Sequence, residues 1–320
     1  MATFGFKIIH RIHIMKVISM EIKDFSCWEE YSGNSMGSGR SEKIWLTSDD
    51  MIGLFKFPKQ DIDGNITYEH ISEKLAYDIA TLLEIPCAKI DIGKYEDRYG
   101  SMSYCINKEN EELREGIAFI SEIYEDYDID KMVDLRNGIY YSLEMIFPIA
   151  KDLECEREFI QMIIFDALIG NTDRHHSNWA ILKSADYGYK FSPLYDNGSS
   201  LCCYIKESDI DNIFKDVRRF KALVTTKSKS RIRVDKSKKK EPMFTEVLKY
   251  LFRKDTYRIY CGDIVTNIVK QMTEDNINRI LNRYPNNLLS AKRKKLILKF
   301  LLERVKIIKV LFEKRGEIDV

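Results

Sequence analysis

Apolar and polar residues change their period along this chain, and the changes divide it. IWLTSDD and MIGLFKFPK read as a strand pair turning at Asp49 and Asp50. After the turn signal DIDGN, apolar residues recur at helical spacing in ITYEHISEKLAYDIATLLEI, with Ile71, Leu75, Ile79 and Leu82 or Leu83 on one stripe. CAKIDIGKY and YGSMSYCINK are strand-like again, and the acidic run Glu109–Glu112 marks a polar boundary. From about Ile117 the pattern predicts mostly helix. Pro148 is expected to break or bend it, and an apolar core helix over about Glu156–Leu168 stops at Gly170, a good C-terminal cap. WAILKSADYGYKFSPLY predicts a hairpin turning at Asp186–Gly188, Asp209–Leu223 a further helix, and LILKFLLERVKIIKVLF a closing amphipathic one. The fold class predicted is α+β, with a small β-rich part over 1–110 and a larger, mostly helical part over 111–320.

Length favours one large two-lobed unit or two domains, and the 44% hydrophobic content is enough for a sizeable core. Charge changes the picture only locally: the net charge of +1 gives no global pull toward nucleic acid or an anionic membrane. Basic residues concentrate in KSKSRIRVDKSKKK, residues 227–240, which reads first as a solvated or disordered loop and second as a surface for nucleic acid or an acidic partner. No aromatic residue interleaves it to stack bases, so no direct nucleic-acid contact is expected. The 7 cysteines form neither a CxxC pair nor a zinc-spaced cluster, which points to a reducing, cytoplasmic setting. Lys7, Arg11 and Lys16 interrupt the apolar opening residues, so we expect an extended first strand or an extension there rather than a signal peptide. No apolar run is long enough to predict a transmembrane helix.

The chemistry concentrates in NTDRHHSNWAILKSADYGYKFSPLYDNGSS, residues 171–200. Asp173 and Asn178 have the D-x-x-x-x-N spacing of a phosphoryl-transfer catalytic loop, in which the aspartate handles the acceptor proton and the amide oxygen ligates metal. The predicted hairpin returns Asp196 beside Asn178, giving hard oxygen ligands suited to Mg²⁺. His175 and His176 could suggest zinc, but without further ligands at suitable spacing they read as residues that shape the loop. Arg174 is expected to pair with a phosphate or a neighbouring carboxylate, and Trp179 to pack beneath the loop. Upstream, the Gly/Ser-rich stretch Ser32–Ser41 resembles a phosphate cradle, Lys56 falls in the strand after it, and Glu73 near the start of the helix could reach that lysine.

GSGRSEK, GLFKFPK, SEKLAYDIATLLEIP, GNTDRHHSNW and PLYDNGSSL, in this order over about residues 30–205, resemble the HipA-type serine/threonine kinases, specifically compact members without the large N-terminal extension. In outline the last two motifs also resemble those of phosphatidylinositol kinases. The resemblance implies a bilobal kinase fold using ATP and Mg²⁺. It makes Gly37, Ser38, Gly39, Arg40, Ser41 and Lys43 the phosphate-binding loop, Lys56 the lysine touching the α- and β-phosphates, and Glu73 its ion-pair partner. Tyr104, Cys105 and Ile106 become the adenine hinge, through backbone groups. Asp173 becomes the catalytic base, His175 a loop-shaping residue near nucleotide, and Asn178 and Asp196 the metal ligands. The chain departs from the best-known members in one respect. Met36 stands where they carry an autophosphorylated serine, although Ser35, Ser38 and Ser41 are nearby. Larger members pair with a DNA-binding antitoxin; nothing in these motifs indicates such a partner.

The function expected is an ATP- and Mg-dependent protein kinase acting on Ser/Thr hydroxyls of a protein substrate, with autophosphorylation an additional expectation. The alternatives are a phosphoinositide or small-molecule kinase, and a catalytically silent nucleotide-binding interaction module.

Overall fold

A computed structural model describes residues 19–32 and 42–317. Six strands form one sheet in the order β1-β5-β6-β4-β3-β2: β1 (Lys23–Asp24), β2 (Glu29–Glu30), β3 (Lys43–Ser48), β4 (Met51–Lys56), β5 (Ile90–Tyr95) and β6 (Arg98–Tyr104). Only β1 and β5 run parallel. The β3–β4 hairpin turns where expected, with Ser48 opposite Met51 and Asp49 at φ 49°. DIDGN closes as a turn because the Asp61 carboxylate accepts the Asp63 and Asn65 N–H groups and Gly64 takes φ +79°. It leads into α1 (Glu69–Leu82), whose Ile71, Leu75 and Ile79 are buried, and Leu83, just past its end, completes the stripe. One face of the sheet closes over Phe25, Leu46, Phe55, Tyr95 and Met102; α1 packs on the other, where Ile92 joins the main core.

Beyond the sheet the chain is mostly helical: β7 (Glu112–Glu115), α2 (Gly116–Ile123), β8 (Tyr127–Asp128), β9 (Val133–Asp134), β10 (Ile139–Tyr140), α3 (Leu143–Asp152) and α4 (Glu156–Ile169) come first. They are followed by β11 (Ala180–Ser184), β12 (Gly188–Phe191), α5 (Ile210–Lys215), α6 (Val217–Val224), α7 (Phe244–Arg253), α8 (Asp255–Gln271), α9 (Glu274–Leu281) and α10 (Ala291–Glu313). The predicted core helix is α4, continuously buried from Met162 to Ile169, packed by α7, α8 and α10, and ended by Gly170 at φ 69°. The predicted hairpin is β11–β12, turning at Gly188 with φ 77°, and β7 pairs with the other edge of β11.

Four local expectations change. Residues 127–140 form a small antiparallel sheet rather than helix, because Asp134 collects the N–H and side-chain amide of Asn137 and Gly138 takes φ 64°. Pro148 lies inside α3, a short helix in which its missing N–H forgoes a single bond; the chain instead breaks at Glu154, φ 53°. The helix predicted over Asp209–Leu223 is divided at Asp216, whose carboxylate caps α6 by accepting the N–H groups of Arg218 at 2.9 Å and Arg219 at 3.3 Å. Residues 227–240 are not a merely solvated loop. Ser228, Ser230, Ile232 and Arg233 are buried, and the segment bridges to Met243 and Ser142. Arg233 donates to the Lys239 and Arg231 carbonyls and lies against the Tyr140 ring; Lys227 and residues 236–240 are exposed.

Candidate active site

The β3–β4 register sets Lys43 directly opposite Lys56, so two ammonium groups arrive together at the open end of the hairpin. Lys56 Nζ lies 2.8 Å from Asp196 Oδ1 and 3.9 Å from Glu73 Oε2. Burial pushes its pKa down, but Asp196 and then Glu73 outweigh this and hold it raised. The Glu73 side chain is almost fully enclosed. Burial raises its pKa against the pull of Lys56, and its Oε1 accepts the Asn197 N–H at 2.8 Å. The expected lysine–glutamate pair is therefore present, with Asp196 as the nearer carboxylate. Lys43 has its pKa lowered by burial and by Lys56; Asp196 and Glu115 are the carboxylates within its electrostatic reach.

Asp196 follows β12 with a left-handed backbone, φ 54°, uncommon outside glycine. Lys56, set against burial, holds its carboxyl at about 2, although the side chain is still 43% exposed. Gly198 is needed for close approach rather than a left-handed turn: a Cβ there would stand 3.0 Å from Glu73 Oε2 and 3.1 Å from the Glu69 carbonyl. The loop can lie on α1 only with no side chain at that position.

The Asp173 loop is fixed from behind. Arg174 is 1% exposed and grips Asp166 of α4 through two parallel contacts of 2.9 Å, from Nε to Oδ2 and Nη2 to Oδ1. The same guanidinium donates to the Asn178 and Tyr195 carbonyls and to Asn197 Oδ1, tying the Asp173 loop to the Asp196 loop. Asp166 Oδ1 also accepts from Asn171 Nδ2, and Asn171 Oδ1 accepts the Asp173 N–H. Arg174 thus pairs with a carboxylate, one of the two expectations for it. His176 is buried, its Nδ1 3.1 Å from Tyr127 Oη, and burial lowers its pKa to about 4. Trp179 packs beneath the loop, donating to Tyr141 Oη at 2.8 Å and lying edge-on to Phe159.

On the reactive side, burial raises the Asp173 pKa while His175 and Arg231 pull it back. His175 has a lowered pKa from burial and accepts the Ser177 N–H on Nδ1. Asn178 donates its amide N–H to the Asp173 carbonyl at 2.8 Å, so its Oδ1 faces away from that bond and has no hydrogen-bond partner among the described residues. Asn178 Oδ1 and the Asp196 carboxylate are hard oxygen donors of the kind Mg²⁺ takes. Among the described residues no group of three or more His, Cys, Asp or Glu is placed to hold a metal ion.

Tyr104, Cys105 and Ile106, expected as the hinge, lie at the end of β6 and just beyond it. Tyr104 and Cys105 spend their N–H groups on the Lys89 and Ile52 carbonyls, and the Tyr104 hydroxyl goes to Asp91. The Ile106 N–H is without a partner among the described residues. Gly37, Ser38, Gly39, Arg40 and Ser41, with Ser35 and Met36, lie outside the described residues. Four participants escaped the sequence reading. Glu115, half-buried, faces Lys43, Asp196 and Ser177, with its pKa raised by burial. Arg231 from the basic segment places Nε 3.4 Å from Asp173 Oδ1. Asp166 was legible as the one carboxylate in the mainly apolar run 159–169 of α4; Asn197, beside Asp196, carried no signal of its own.

Comparisons with known proteins agree with this architecture. The chain is 24% identical over 268 residues to the serine/threonine-protein kinase CtkA of Helicobacter pylori, covering 82% of this chain and 79% of that protein. The crystal structure of that proinflammatory kinase superposes with a TM-score of 0.78 at 20% identity, covering 93% of this chain and all of the other. The HipA of Shewanella oneidensis, solved with HipB and operator DNA, superposes at 0.53 with 13% identity, covering 91% of this chain and 65% of that one. The model of the HipA-like C-terminal domain matches residues 37–275, most of the length, and the chain belongs to that family.

Proposed function

We propose that this chain is a protein kinase that transfers the γ-phosphoryl group of Mg-ATP to Ser or Thr hydroxyls. The observation that carries the reading is the meeting of Lys56 and Glu73, from β4 and α1, with Asp196, beside a loop that fixes Asp173 and Asn178. Its descent supports it, since the relative CtkA is named a serine/threonine kinase.

Asn178 and Asp196 would hold the metal, Lys56 the phosphates, and the backbone around Ile106 the adenine, with the 37–41 loop and Lys43 over the phosphates. Bound Mg-ATP supplies the phosphoryl group and a divalent charge that offsets its anionic oxygens. Asp173 orients the acceptor hydroxyl and takes its proton; partial burial raises its basicity toward that task. Lys56 keeps its charge because two carboxylates face it. Glu73 couples α1 to the Asp196 loop through the Asn197 N–H, so the helix and the metal-binding aspartate move together.

The test is incubation with radiolabelled ATP and Mg²⁺, alone and with a cell lysate, comparing wild type with Asp173→Asn. Label should enter protein with wild type and not with the variant. ATP binding without labelled product would instead make the chain a silent nucleotide-binding module.

A further inference from the structure

The basic segment 227–240 reaches the Asp173 loop through Arg231. The segment KSKSRIRVDKSKKK carries a single carboxylate, Asp235, against a majority of cations. Its bridges to Met243 and Ser142, and Arg233 turned inward onto the Lys239 carbonyl, hold it in place, so its charges are positioned rather than free. Arg231 extends to the catalytic loop, 2.7 Å from Glu241 and 3.4 Å from Asp173. Its buried Nε faces Asp173 Oδ1 across that 3.4 Å ion pair, which joins the segment to the transfer site. Lys236 and Lys238 have weak partners at 3.4 Å in Glu144 and Asp235. The ammonium groups of Lys227, Lys229, Lys239 and Lys240 meet no carboxylate among the described residues.

We propose that this segment is the acceptor-docking surface of the transfer site, and that it takes peptide segments in which the Ser or Thr is flanked by Asp or Glu. The inference rests on the kinase reading above. A hydroxyl at Asp173 lies close to Arg231, so the residues beside that hydroxyl meet the positive field of the segment. Acidic flanks pair with the unpaired lysines; basic flanks are repelled. A nucleic acid fits less well, because the segment offers no aromatic ring for a base.

The test uses the full chain and two peptides that differ only in whether Glu or Lys surrounds one Ser. Wild type should phosphorylate the Glu peptide with a kcat/KM about tenfold or more above the Lys peptide, the product of several individually weak exposed pairs. Adding salt to the wild-type reaction should shrink that ratio, mostly through KM. In Lys238→Glu/Lys239→Glu/Lys240→Glu the ratio should invert, and in Arg231→Gln it should shrink; reading a ratio within each variant cancels any loss common to both peptides. Should a variant not fold, the wild-type ratio and its salt dependence decide alone. Equal use of both peptides, a preference that survives charge reversal, or phosphorylation of phosphatidylinositol vesicles in preference to the Glu peptide would each overturn the proposal while leaving ATP-dependent transfer standing. A wild type that transfers phosphate to no acceptor overturns the kinase reading, and this inference with it.

Discussion

The two sides of the Asp173 loop are built on opposite terms. Behind the loop, Arg174 and Asp166 are 1% and 3% exposed, with Asn171, Asn178, Tyr195 and Asn197 completing their hydrogen bonds. In front, Asp173 and Asp196 keep 37% and 43% of their side chains exposed, Lys56 is shared unequally between two carboxylates, and Arg231 Nε stands at a loose 3.4 Å from Asp173. The difference shows how one short stretch can be both rigid and reactive. Neighbouring residues divide the work, Arg174 inward beside Asp173 outward, and Asn197 inward beside Asp196 outward. A saturated network on one face fixes the backbone so that the other can keep charges underpaired and ready for a ligand.

The sharpest way to break this comparison is to treat the sides separately. On the proposed kinase reading, Asp173→Asn or Asp196→Asn should lower phosphate transfer by about 10²–10⁴ or more while the melting temperature stays near wild type. Phosphate incorporation beside a thermal melt checks both halves; a collapsed melting temperature would mean the front is structural too. On the other side, Asp166→Ala leaves the Arg174 charge buried and unpaired, and should cost about 3–5 kcal/mol in urea unfolding, with activity lost as a consequence. Gly116→Ala presses a Cβ to within 2.1 Å of the Trp179 ring beneath the loop. Overpacking of that kind should cost about 1–3 kcal/mol.

The last prediction concerns pH. His70, on α1, has Nδ1 buried without a partner, and burial lowers its pKa from 6.5 to about 4. Because the folded pKa lies below the unfolded one, the unfolded chain binds more protons between those values, and this residue's contribution to stability is lost as pH falls from about 6.5 to about 4. Urea midpoints measured across that window should fall toward acid, and His70→Gln should flatten the slope.

How much of this was legible depended on the distance along the chain. Asp173, Asn178 and Asp196 could be brought together on paper because the intervening chain is one hairpin, whose turn at Gly188 is written in its own residues. The stripe of α1 and the stop of α4 at Gly170 were legible for the same reason, as local periodicity and local backbone preference. The small sheet over 127–140 and the break at Asp216 were missed because side-chain caps from Asp134 and Asp216 overrode a helical pattern.

The sequence by itself determined the α+β order, the strand lysine, the helix glutamate and the D-x-x-x-x-N loop with its returning aspartate, since each is set by interactions within a few residues or one hairpin. Only the tertiary structure decided that Lys56 leans on Asp196 more closely than on Glu73, that Arg174 faces Asp166 rather than a phosphate, that Glu115 looks into the site, and that a basic run places Arg231 at Asp173. A charged side chain selects its partner by burial and by which distant elements pack beside it. Neither is written in the spacing of residues along the chain.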